Sequence, residues 1–258
     1  MHTPEILRTL LERLAAGKAS LDETLASMGG AAEYVPVGDF ARIDLAREQR
    51  TGVPEFIYAP GKTPEQVVAI ARRMAEAGGP NILVTKAGDT VAEALRDAFA
   101  EVSVHALSGI VVVNPRERTD LTGEIGIVTA GTSDLPVAEE AELVCRALGS
   151  GTTRIADIGI ACLSRVLDAV PELSRMNVII CAAGMEAALP SVLAGLVPVP
   201  VIAVPTSVGY GINIGGYNAL LSILGGCVPG VLAVNIDNGV GAAVAAHRIN
   251  RLAVKGAG

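Results

Sequence analysis

The sequence predicts an α/β fold in which a doubly wound parallel sheet follows a smaller N-terminal α/β module. Three observations support this. Apolar runs of strand length alternate with helix-sized segments along the second half of the chain, the pattern of a parallel sheet covered by helices. Half of the 258 residues are apolar, with 29 glycines and no Trp, which is typical of helices packed closely on a buried sheet. Small or polar residues follow several apolar runs, where open α/β sheets bind ligands.

Composition and charge argue against several classes of protein. The net charge is −7 and the basic residues are scattered, so we expect no nucleic-acid partner. Glu186 is the only charged residue between Asn177 and Leu224, but four prolines interrupt this run, which favours a buried sheet over a membrane span. The four cysteines form no CxxC pair and no cleavable leader is recognised, which predicts a cytoplasmic protein with free thiols.

The first 50 residues are predicted to form a helical leader. An amphipathic helix spans Pro4 to Ala16, and Gly17 ends it. Ser20 and Glu23 have the spacing of a capping box, which predicts the start of a second, short helix. Residues 34–50 combine a strand-like start with a charged finish, and no element is assigned to them.

Residues 51–118 are predicted to form the small α/β module. Thr63 and Gln66 have capping-box spacing at the start of one helix, and Thr90 and Glu93 have it at the start of another. Three strands are expected, at 55–59, 81–86 and 110–114.

Residues 119–258 are predicted to form the catalytic domain, and the polar stretch 114–123 is the best candidate for a linker. Each predicted strand is separated from the next by a helix-sized segment, which indicates a doubly wound parallel sheet. The five strands are Ile125–Ala130, Arg154–Ile160, Asn177–Ala182, Val199–Val204 and Val231–Ile236.

Several familiar motifs occur only in incomplete form. The stretch APGKT resembles the end of a P-loop, but Phe56 stands where the first glycine is needed. The stretch GYGINIGG has the wrong spacing for a dinucleotide fingerprint. No GxSxG motif is present and the chain has three histidines, which argues against a Ser–His–Asp hydrolase and against zinc. We therefore predict no metal site.

The turn Gly131-Thr132-Ser133-Asp134 follows the first strand of the larger domain. Free backbone N–H groups at the start of the next helix, together with the Ser133 hydroxyl, could hold a phosphate or a ribose. An ordinary N-cap at Asp134 explains the same residues equally well, so both interpretations stay open.

Glu186 is a candidate acid or base because it stands alone in the apolar stretch AAGMEAALPSVLAGL. A desolvated carboxylate there would have a raised pKa, suited to proton transfer. Its neighbours Gly184 and Met185 are candidate ligand contacts. The alternative is a solvent-exposed Glu in the first turn of a helix.

The loop VPTSVGYG after the fourth strand is a second candidate ligand loop. Its glycines would let the backbone approach a ligand closely, although a long turn without a ligand is about as probable. The contacts that we expect here come from Thr206, Ser207, Gly209, Tyr210 and Gly211. After the last strand, Asp237 and Asn238 are further candidates at the same carboxyl edge.

Cys227 is the candidate nucleophile, since it lies in the glycine- and proline-rich loop GGCVPG. The other cysteines, Cys145, Cys162 and Cys181, fall in apolar segments and are predicted to be core residues. Because Cys227 precedes the last strand, it starts at the edge opposite to the other candidates. A neighbouring chain of a symmetric oligomer could present it to the same site.

A resemblance to a known family rests on three stretches, GTSDLPVAEEA, AGMEAALPS and GGCVPGVLAVNI. They resemble, in order, segments of the aminoimidazole ribonucleotide carboxylases and mutases of purine biosynthesis. The resemblance implies a flavodoxin-like fold and a homo-oligomer, a tetramer or an octamer. That family has a His immediately before LP, where this chain has Ala188, which argues against aminoimidazole ribonucleotide as the substrate.

Further motifs, RTGVPEFIYAPGKTPEQ, PTSVGYG and VNIDNGVGAA, extend the resemblance over nearly the whole chain. Together they are similar to the pyridinium-3,5-biscarboxylic acid mononucleotide synthases, which begin nickel-pincer nucleotide cofactor biosynthesis for lactate racemase. This implies carboxylation of nicotinic acid adenine dinucleotide at C5 with CO2 or bicarbonate, and hydrolysis that releases AMP. Cys227 would form a transient ring adduct, and Glu186 or Asp134 would remove the C5 proton.

Two points stay open from the sequence. The residues that hydrolyse the phosphoanhydride cannot be assigned, and Lys86, Arg50 and Lys62 are the weak candidates. No tightly bound cofactor is expected, although Mg²⁺ could assist hydrolysis. The alternative functions are an aminoimidazole ribonucleotide carboxylase or mutase, and a non-catalytic nucleotide-binding regulator.

Overall fold

The computed structural model describes residues 4–24, 34–79 and 81–256, and within these ranges it contains a five-stranded sheet, a four-stranded sheet and a two-stranded hairpin. The hairpin and the four-stranded sheet precede residue 114, and the five-stranded sheet begins at Thr122. The division of the chain into the ranges 1–50, 51–118 and 119–258 stays a prediction.

The N-terminal helix α1 spans Pro4–Ala15 and ends before Gly17, whose φ of 67° is left-handed. A left-handed glycine at this point terminates a helix without a steric penalty. The Ser20–Glu23 capping box is present, since Glu23 N–H donates to Ser20 Oγ and Ser20 N–H donates to Glu23 Oε2. The remainder of the second predicted helix lies outside the described residues.

A hairpin stands inside the predicted helical leader. Strand β1 (Val35–Val37) pairs antiparallel with β2 (Ala41–Ile43), and Val37 and Ile43 are buried against the small sheet. No element was assigned to residues 34–50 from the sequence, so the hairpin is a feature that sequence reasoning missed. Strands of three residues are too short to establish the period-2 alternation that identifies a strand. Helix α2 (Arg47–Thr51) follows and ends at Gly52.

The four-stranded sheet has the order β3-β4-β6-β5. Strand β3 is parallel to β4, whereas β6 is antiparallel to both β4 and β5. The Thr63–Gln66 capping box is confirmed, but the next helix has Gly88 as its N-cap in place of Thr90. The bounds are β3 Ile57–Tyr58, α3 Pro64–Glu76, β4 Ile82–Thr85, α4 Asp89–Ala98, β5 Val102–His105 and β6 Ile110–Val113. Strand β5 was not predicted, because its four residues are too few for their alternation of apolar and polar side chains to stand out.

The five-stranded sheet is entirely parallel, as predicted, with the spatial order β11-β10-β9-β7-β8. Numbered from its first strand, this is the 2-1-3-4-5 order of flavodoxin-like folds, in which the switch point lies between the first and third strands. The strands are β7 Thr122–Thr129, β8 Ser150–Ile155, β9 Val178–Ala183, β10 Val201–Pro205 and β11 Val231–Ala233; the helices are α5 Leu135–Ala147, α6 Leu163–Leu173, α7 Leu189–Ala194, α8 Tyr217–Leu224 and α9 Gly239–Gly256.

Strand β8 lies earlier in the chain than the predicted strand at 154–160. Asp157 adopts a left-handed φ of 59°, and its N–H donates to Thr129 Oγ1, which ends the strand. Residues 158–160 are apolar enough to imitate a strand, but they form the loop and 3₁₀ turn before α6. This shift matters for the site described below.

The two sheets share one hydrophobic core. Leu83 and Val112 of the small sheet belong to the same buried cluster as Ala141 of α5 and Ala243 of α9. Small side chains on α5 and α9 let both helices approach the parallel sheet closely. Burying one Leu side chain such as Leu83 contributes about 1.5–3 kcal/mol, so the N-terminal module is held by packing as well as by connectivity. No helix within the described ranges is sufficiently long and apolar to span a bilayer.

Candidate functional site

A cavity of about 390 Å³ opens at the carboxyl edge of the five-stranded sheet, beside the switch point between β7 and β9. We call it the carboxyl-edge cavity. Four loops enclose it, each following a different strand. Its lining residues are Ala130, Gly131, Ser133, Asp134, Gly159, Ile160, Ala161, Ala183, Gly184, Met185, Glu186, Ala187, Ala188, Leu189, Val208, Gly209 and Tyr210.

Asp134 is the buried carboxylate of this cavity, with a relative exposure of 4%. Thr206 Oγ1 donates to its Oδ1 at 2.7 Å, and Gly131 N–H donates to its Oδ2 at 2.9 Å. Burial raises the pKa of Asp134, and the hydrogen bonds from Thr206 and from backbone N–H groups offset only part of this rise. The carboxylate makes no capping bond to α5, so the ordinary N-cap explanation is wrong. Asp134 is suited to accept or deliver a proton.

The loop after β9 forms a strained wall of the cavity. Met185 and Ala187 have φ values of 52° and 46°, a region that non-glycine residues rarely adopt and that concentrates at functional sites. Asn218 Nδ2 donates to the Met185 carbonyl at 3.1 Å and fixes this conformation from α8. At Gly184 a Cβ would overlap the Val208 carbonyl oxygen, so glycine is required where this loop meets the next one.

Glu186 lines the cavity as expected, but it is exposed. The expected desolvation of this carboxylate is therefore wrong for the single chain. Its apolar neighbours belong to the end of β9, the central strand of the sheet, and to α7, whereas Glu186 itself lies on the loop between them. Together with Asp134 it makes the cavity acidic, since no Lys or Arg is among the described residues that line it.

The loop after β10 contributes in two ways. Gly209 and Tyr210 line the cavity, and Tyr210 is 80% exposed. Thr206 is fully buried and holds Asp134. The backbone N–H of Ser207 donates to Asp237 Oδ1 at 2.8 Å, which joins this loop to the turn after β11. Asp237 itself has a left-handed φ of 54°.

Six predicted ligand contacts do not line the cavity: Thr132, Thr206, Ser207, Gly211, Asp237 and Asn238. Asn238 has a structural task, since its Oδ1 accepts from Gly241 N–H at 2.7 Å in the first turn of α9. The N–H of Gly239 donates to Glu140 Oε2 at 2.9 Å. A side-chain carboxylate therefore already occupies the N-terminus of α9, where an anionic ligand would otherwise find donors.

The burial of the four cysteines differs from the prediction. Cys145 and Cys181 are buried, and burial raises the pKa of both thiols. Cys162 is exposed at the N-terminus of α6, so its assignment to the core is wrong; a hydrogen bond with Ser164 lowers the pKa of its thiol. Cys227 is exposed and does not line the cavity of its own chain.

The three cationic candidates for hydrolysis all lie outside the cavity. Arg50 forms a two-pronged ion pair with Asp44, and Lys62 donates to the Tyr58 carbonyl. Lys86 lies 3.0 Å from Oε1 of the fully buried Glu140 and donates to the Asp237 carbonyl at 3.1 Å. Lys86 thereby connects the small sheet to the turn after β11.

Sequence reasoning missed one whole wall of the cavity and one buried ion pair. The wall is Gly159–Ala161, which was hidden because the predicted strand at 154–160 absorbed it. The sequence did contain an indication of this loop. Candidate ligand residues had been named after each of the other four strands of this sheet, and none after β8. Glu140 also had a signal, since it lies three residues after Val137 and four before Val144 on the apolar face of α5.

The described residues offer no resident metal site. No group of three or more His, Cys, Asp or Glu side chains among them is placed to hold an ion. The donor set of the carboxyl-edge cavity, two carboxylates and a few hydroxyls, does not fit a dedicated Mg²⁺ site. The proposed carboxylation therefore uses no metal ion.

Comparisons with known proteins identify a family for each part of the chain. The LarB/PurE-like N-terminal domain matches residues 34–116, and the AIR carboxylase domain matches residues 124–256. An uncharacterized protein of Methanocaldococcus jannaschii is 37% identical over 256 residues, which cover 95% of this chain and 97% of that protein. The N5-carboxyaminoimidazole ribonucleotide mutase of the same organism is 36% identical over 130 residues, 48% of this chain and 77% of that protein.

Proposed function

Since this chain belongs to the AIR carboxylase family and carries the LarB/PurE-like N-terminal domain of pyridinium-3,5-biscarboxylic acid mononucleotide synthases, we propose that it carboxylates nicotinic acid adenine dinucleotide. The two domains make it an enzyme of a carboxylase family. The proposed products are pyridinium-3,5-biscarboxylic acid mononucleotide and AMP, with CO2 or bicarbonate as the source of the new carboxyl group.

The charge of the carboxyl-edge cavity carries this proposal. It is largely apolar, contains Asp134 and Glu186, and has no basic side chain among its described lining residues. A pyridinium ring is a flat cation, and an apolar pocket with carboxylates favours it over a neutral or anionic ring. The phosphates of the dinucleotide would bind nearer the rim, where Thr132 and Ser133 are exposed.

The proposed carboxylation proceeds in three steps that balance. The Cys227 thiolate forms a C–S bond to the ring carbon next to C5, which neutralises the pyridinium and makes C5 enamine-like. C5 then forms a bond to the carbon of CO2. Asp134 or Glu186 accepts the proton from C5, the C–S bond breaks, and the thiolate leaves as the ring becomes aromatic again. The net change is loss of one ring proton and gain of one carboxylate.

Of the two carboxylates, Asp134 is the better base in the single chain. Burial raises its pKa, which brings a carboxylate closer to the pKa range in which general bases work best. Glu186 is exposed, and packing of a neighbouring subunit against it would be needed to desolvate it.

Cys227 would reach the site from a neighbouring subunit. It is exposed in its own chain and follows α8, whose outer surface is apolar. This surface extends from Tyr210, at the mouth of the cavity, toward the end of α8. Soluble monomers rarely expose apolar surface this contiguous, so we propose that a symmetric homo-oligomer, a tetramer or an octamer, covers it. Its exposed members are Tyr210, Ile212, Ile214, Tyr217, Leu221 and Leu224.

Hydrolysis of the phosphoanhydride requires attack of water on one phosphorus and release of AMP. We propose that Mg²⁺ enters with the substrate phosphates and assists this hydrolysis, since the described residues form no metal cluster of their own. Retention of hydrolysis after treatment with EDTA would reject the metal requirement.

Incubation with nicotinic acid adenine dinucleotide and ¹³C-bicarbonate tests the proposal most directly. We expect a mononucleotide that carries one labelled carboxyl group, and AMP in equal amount. Aminoimidazole ribonucleotide serves as the competing substrate, because the Methanocaldococcus relative is named as a mutase of its carboxylated form. Ala188 lines the cavity where that family has a histidine, so we expect no turnover of it. Unchanged dinucleotide would reject the proposal, and binding without turnover would favour a regulator.

Mixing of inactive chains tests the shared site. Cys227→Ser and Cys227→Ala are expected to abolish carboxylation, whereas Cys181→Ser should mainly cost stability. Oligomers reassembled from Cys227→Ala and Asp134→Asn chains should regain activity, because some sites then combine an intact Cys227 with an intact Asp134. If mixing restores nothing while each variant alone stays folded, the two residues do not act across a subunit boundary.

A further inference from the structure

A second cavity, of about 580 Å³, lies at the opposite edge of the five-stranded sheet, between its amino ends and the small module. We call it the amino-edge cavity. Its size falls in the range of small-molecule sites, which favour boundaries between domains. The small module contributes residues 48–83, and the rest come from the linker, the end of α5 and α9. The charged and titratable lining residues are Glu48, Glu55, Arg116, Arg118, Asp120, His247 and Arg251.

His247 supplies a fixed hydrogen-bond donor in this cavity. It is 3% exposed, and its Nδ1 lies 2.9 Å from Ser150 Oγ. Ser150 Oγ already accepts from Asn250 Nδ2, whose orientation is set by its bond to the Thr122 carbonyl. We assign the Ser150 hydroxyl proton to the bond with Nδ1, which places the hydrogen of the neutral ring on Nε2. Nε2 makes no hydrogen bond to any described residue.

The acidic residues around the cavity are mostly engaged. Asp120 is held by Arg118 at 3.0 Å, and Glu55 accepts from the Asp44 N–H and lies 3.8 Å from Arg47. Glu48 makes no ion pair within the described residues. The remaining cavity surface is therefore richer in donors than in acceptors.

Two guanidinium groups at the cavity, Arg116 and Arg251, make no ion pair within the described ranges. Arg118 lies over Gly149, and Arg248, just outside, donates to the Thr51 carbonyl. Burial and the charges of Arg251, Arg118 and Arg248 hold the pKa of His247 below its ordinary value. In a chain of net charge −7, this is a local positive field around a buried imidazole.

We propose that the amino-edge cavity binds a phosphate-type oxyanion between His247, Arg116 and Arg251. Three donor side chains that line one cavity suit a group with several acceptor oxygens, such as a tetrahedral oxyanion. The bound anion would also favour the imidazolium form, so binding takes up a proton. This site is separate from the carboxyl-edge cavity and does not rest on the function proposed above.

Calorimetric titration of the full chain with sulfate tests this proposal. Sulfate keeps both charges at about pH 6.5, the ordinary pKa of imidazole, so any proton taken up belongs to the protein. We expect saturable binding with heats that differ between two buffers of different ionisation enthalpy. Arg116→Gln and Arg251→Gln should each weaken binding about tenfold, the scale of one charge-assisted hydrogen bond.

Three controls keep the test decisive. Arg72→Gln removes an exposed arginine of α3 that does not line this cavity, and Asp134→Asn alters the other edge; both should bind sulfate as the unmodified chain does. His247→Gln should abolish the buffer dependence, and the two arginine variants decide the matter if His247→Gln does not fold. Three results would each overturn the proposal. The arginine variants could bind sulfate as tightly as the unmodified chain does, the heats could be the same in both buffers, or malonate could bind more tightly than sulfate.

Discussion

The two edges of the five-stranded sheet carry buried ionisable groups of opposite kind in opposite surroundings. At the carboxyl edge, Asp134 lies among apolar loops and a second carboxylate, and its pKa is raised. At the amino edge, His247 lies among arginines, and its pKa is lowered. Desolvation disfavours the charged form of each, and the neighbouring like charges act in the same direction.

The difference shows how one sheet can present two chemistries. The carboxyl edge consists of loops with left-handed residues such as Met185 and Ala187, and its charge suits a cation. The amino edge is built from helix ends and a linker, and its charge suits an anion. Each edge favours a ligand that would restore the charge of its buried group.

Replacing the carboxylate at the carboxyl edge should have the largest effect. Asp134→Asn removes the proposed base, and we expect kcat for carboxylation of the pyridinium ring to fall by about 10²–10⁴. Steady-state kinetics, with circular dichroism to verify folding, measures this. Asp97→Asn, an exposed carboxylate of α4, is the matched control and should keep full activity. If kcat falls by less than about tenfold in Asp134→Asn, Asp134 is not the group that accepts the proton.

Breaking the ion pair between the two modules should have the next largest effect. Lys86→Met leaves the fully buried Glu140 carboxylate without its partner, and burial already raises the pKa of Glu140. We expect a loss of about 3 kcal/mol in the free energy of unfolding by urea, at the lower end for a buried pair because Lys86 is partly exposed.

A second replacement identifies the cause of that loss. Adding Glu140→Gln to Lys86→Met should recover part of the stability, because the uncompensated charge is gone. Lys62→Met, at an exposed lysine, should stay within about 0.5 kcal/mol of the unmodified chain. If the double variant is no more stable than Lys86→Met, unpaired charge is not the source of the destabilisation.

The pH dependence of stability should distinguish the two edges. For His247 the folded pKa lies below the unfolded one, so stability is lost as pH falls below about 6.5. For Asp134 the folded pKa lies above the unfolded one, so stability is fully present below about pH 3.9 and is lost as pH rises through the folded value. His247→Gln should therefore reduce the slope between pH 7 and 5 by at most one proton equivalent.

Urea titrations at several pH values measure these slopes. Between pH 7 and 5, the free energy of unfolding of Asp134→Asn should depend on pH more steeply than that of His247→Gln. An unchanged slope in His247→Gln would mean that the imidazole does not titrate differently on folding.

The smallest expected effect is the difference in labelling rate among the four thiols, which also reports on the carboxyl edge. Iodoacetamide is expected to modify Cys162 and Cys227, which are exposed, and to spare Cys145 and Cys181. Cys162 should react fastest at neutral pH because its thiol pKa is lowered. Peptide mass spectrometry over time gives the order. Rapid labelling of Cys181 would mean that the sheet opens at β9.

Much of this protein could be predicted from its sequence. The alternation of apolar runs and helix-sized segments predicted a parallel sheet of five strands and located the fully buried β9 and β10 well, because a strand buried on both faces must be apolar along its whole length. The same reasoning named Gly131, Asp134 and Tyr210, which the structure brings to one cavity. Local rules also succeeded where one short contact decides, as at the Thr63–Gln66 capping box.

Other features of the fold could not be predicted from local sequence patterns. The hairpin at 35–43 and strand β5 are short and only partly buried, so their patterns are weak. The end of β8 was misplaced because Ile158 and Ile160 are apolar for reasons of loop packing.

The sequence by itself determined the fold class and the family that the residues resemble, and it predicted the carboxyl edge as the place of the site, since these depend on patterns along the chain. Only the tertiary structure decided which ionisable groups are buried. Glu186 is exposed, whereas Asp134, Glu140 and His247 are buried. The physical reason is that desolvation depends on neighbours brought from elsewhere in the chain. Thr206, Lys86 and Ser150 lie 72, 54 and 97 residues away from the groups that they hold.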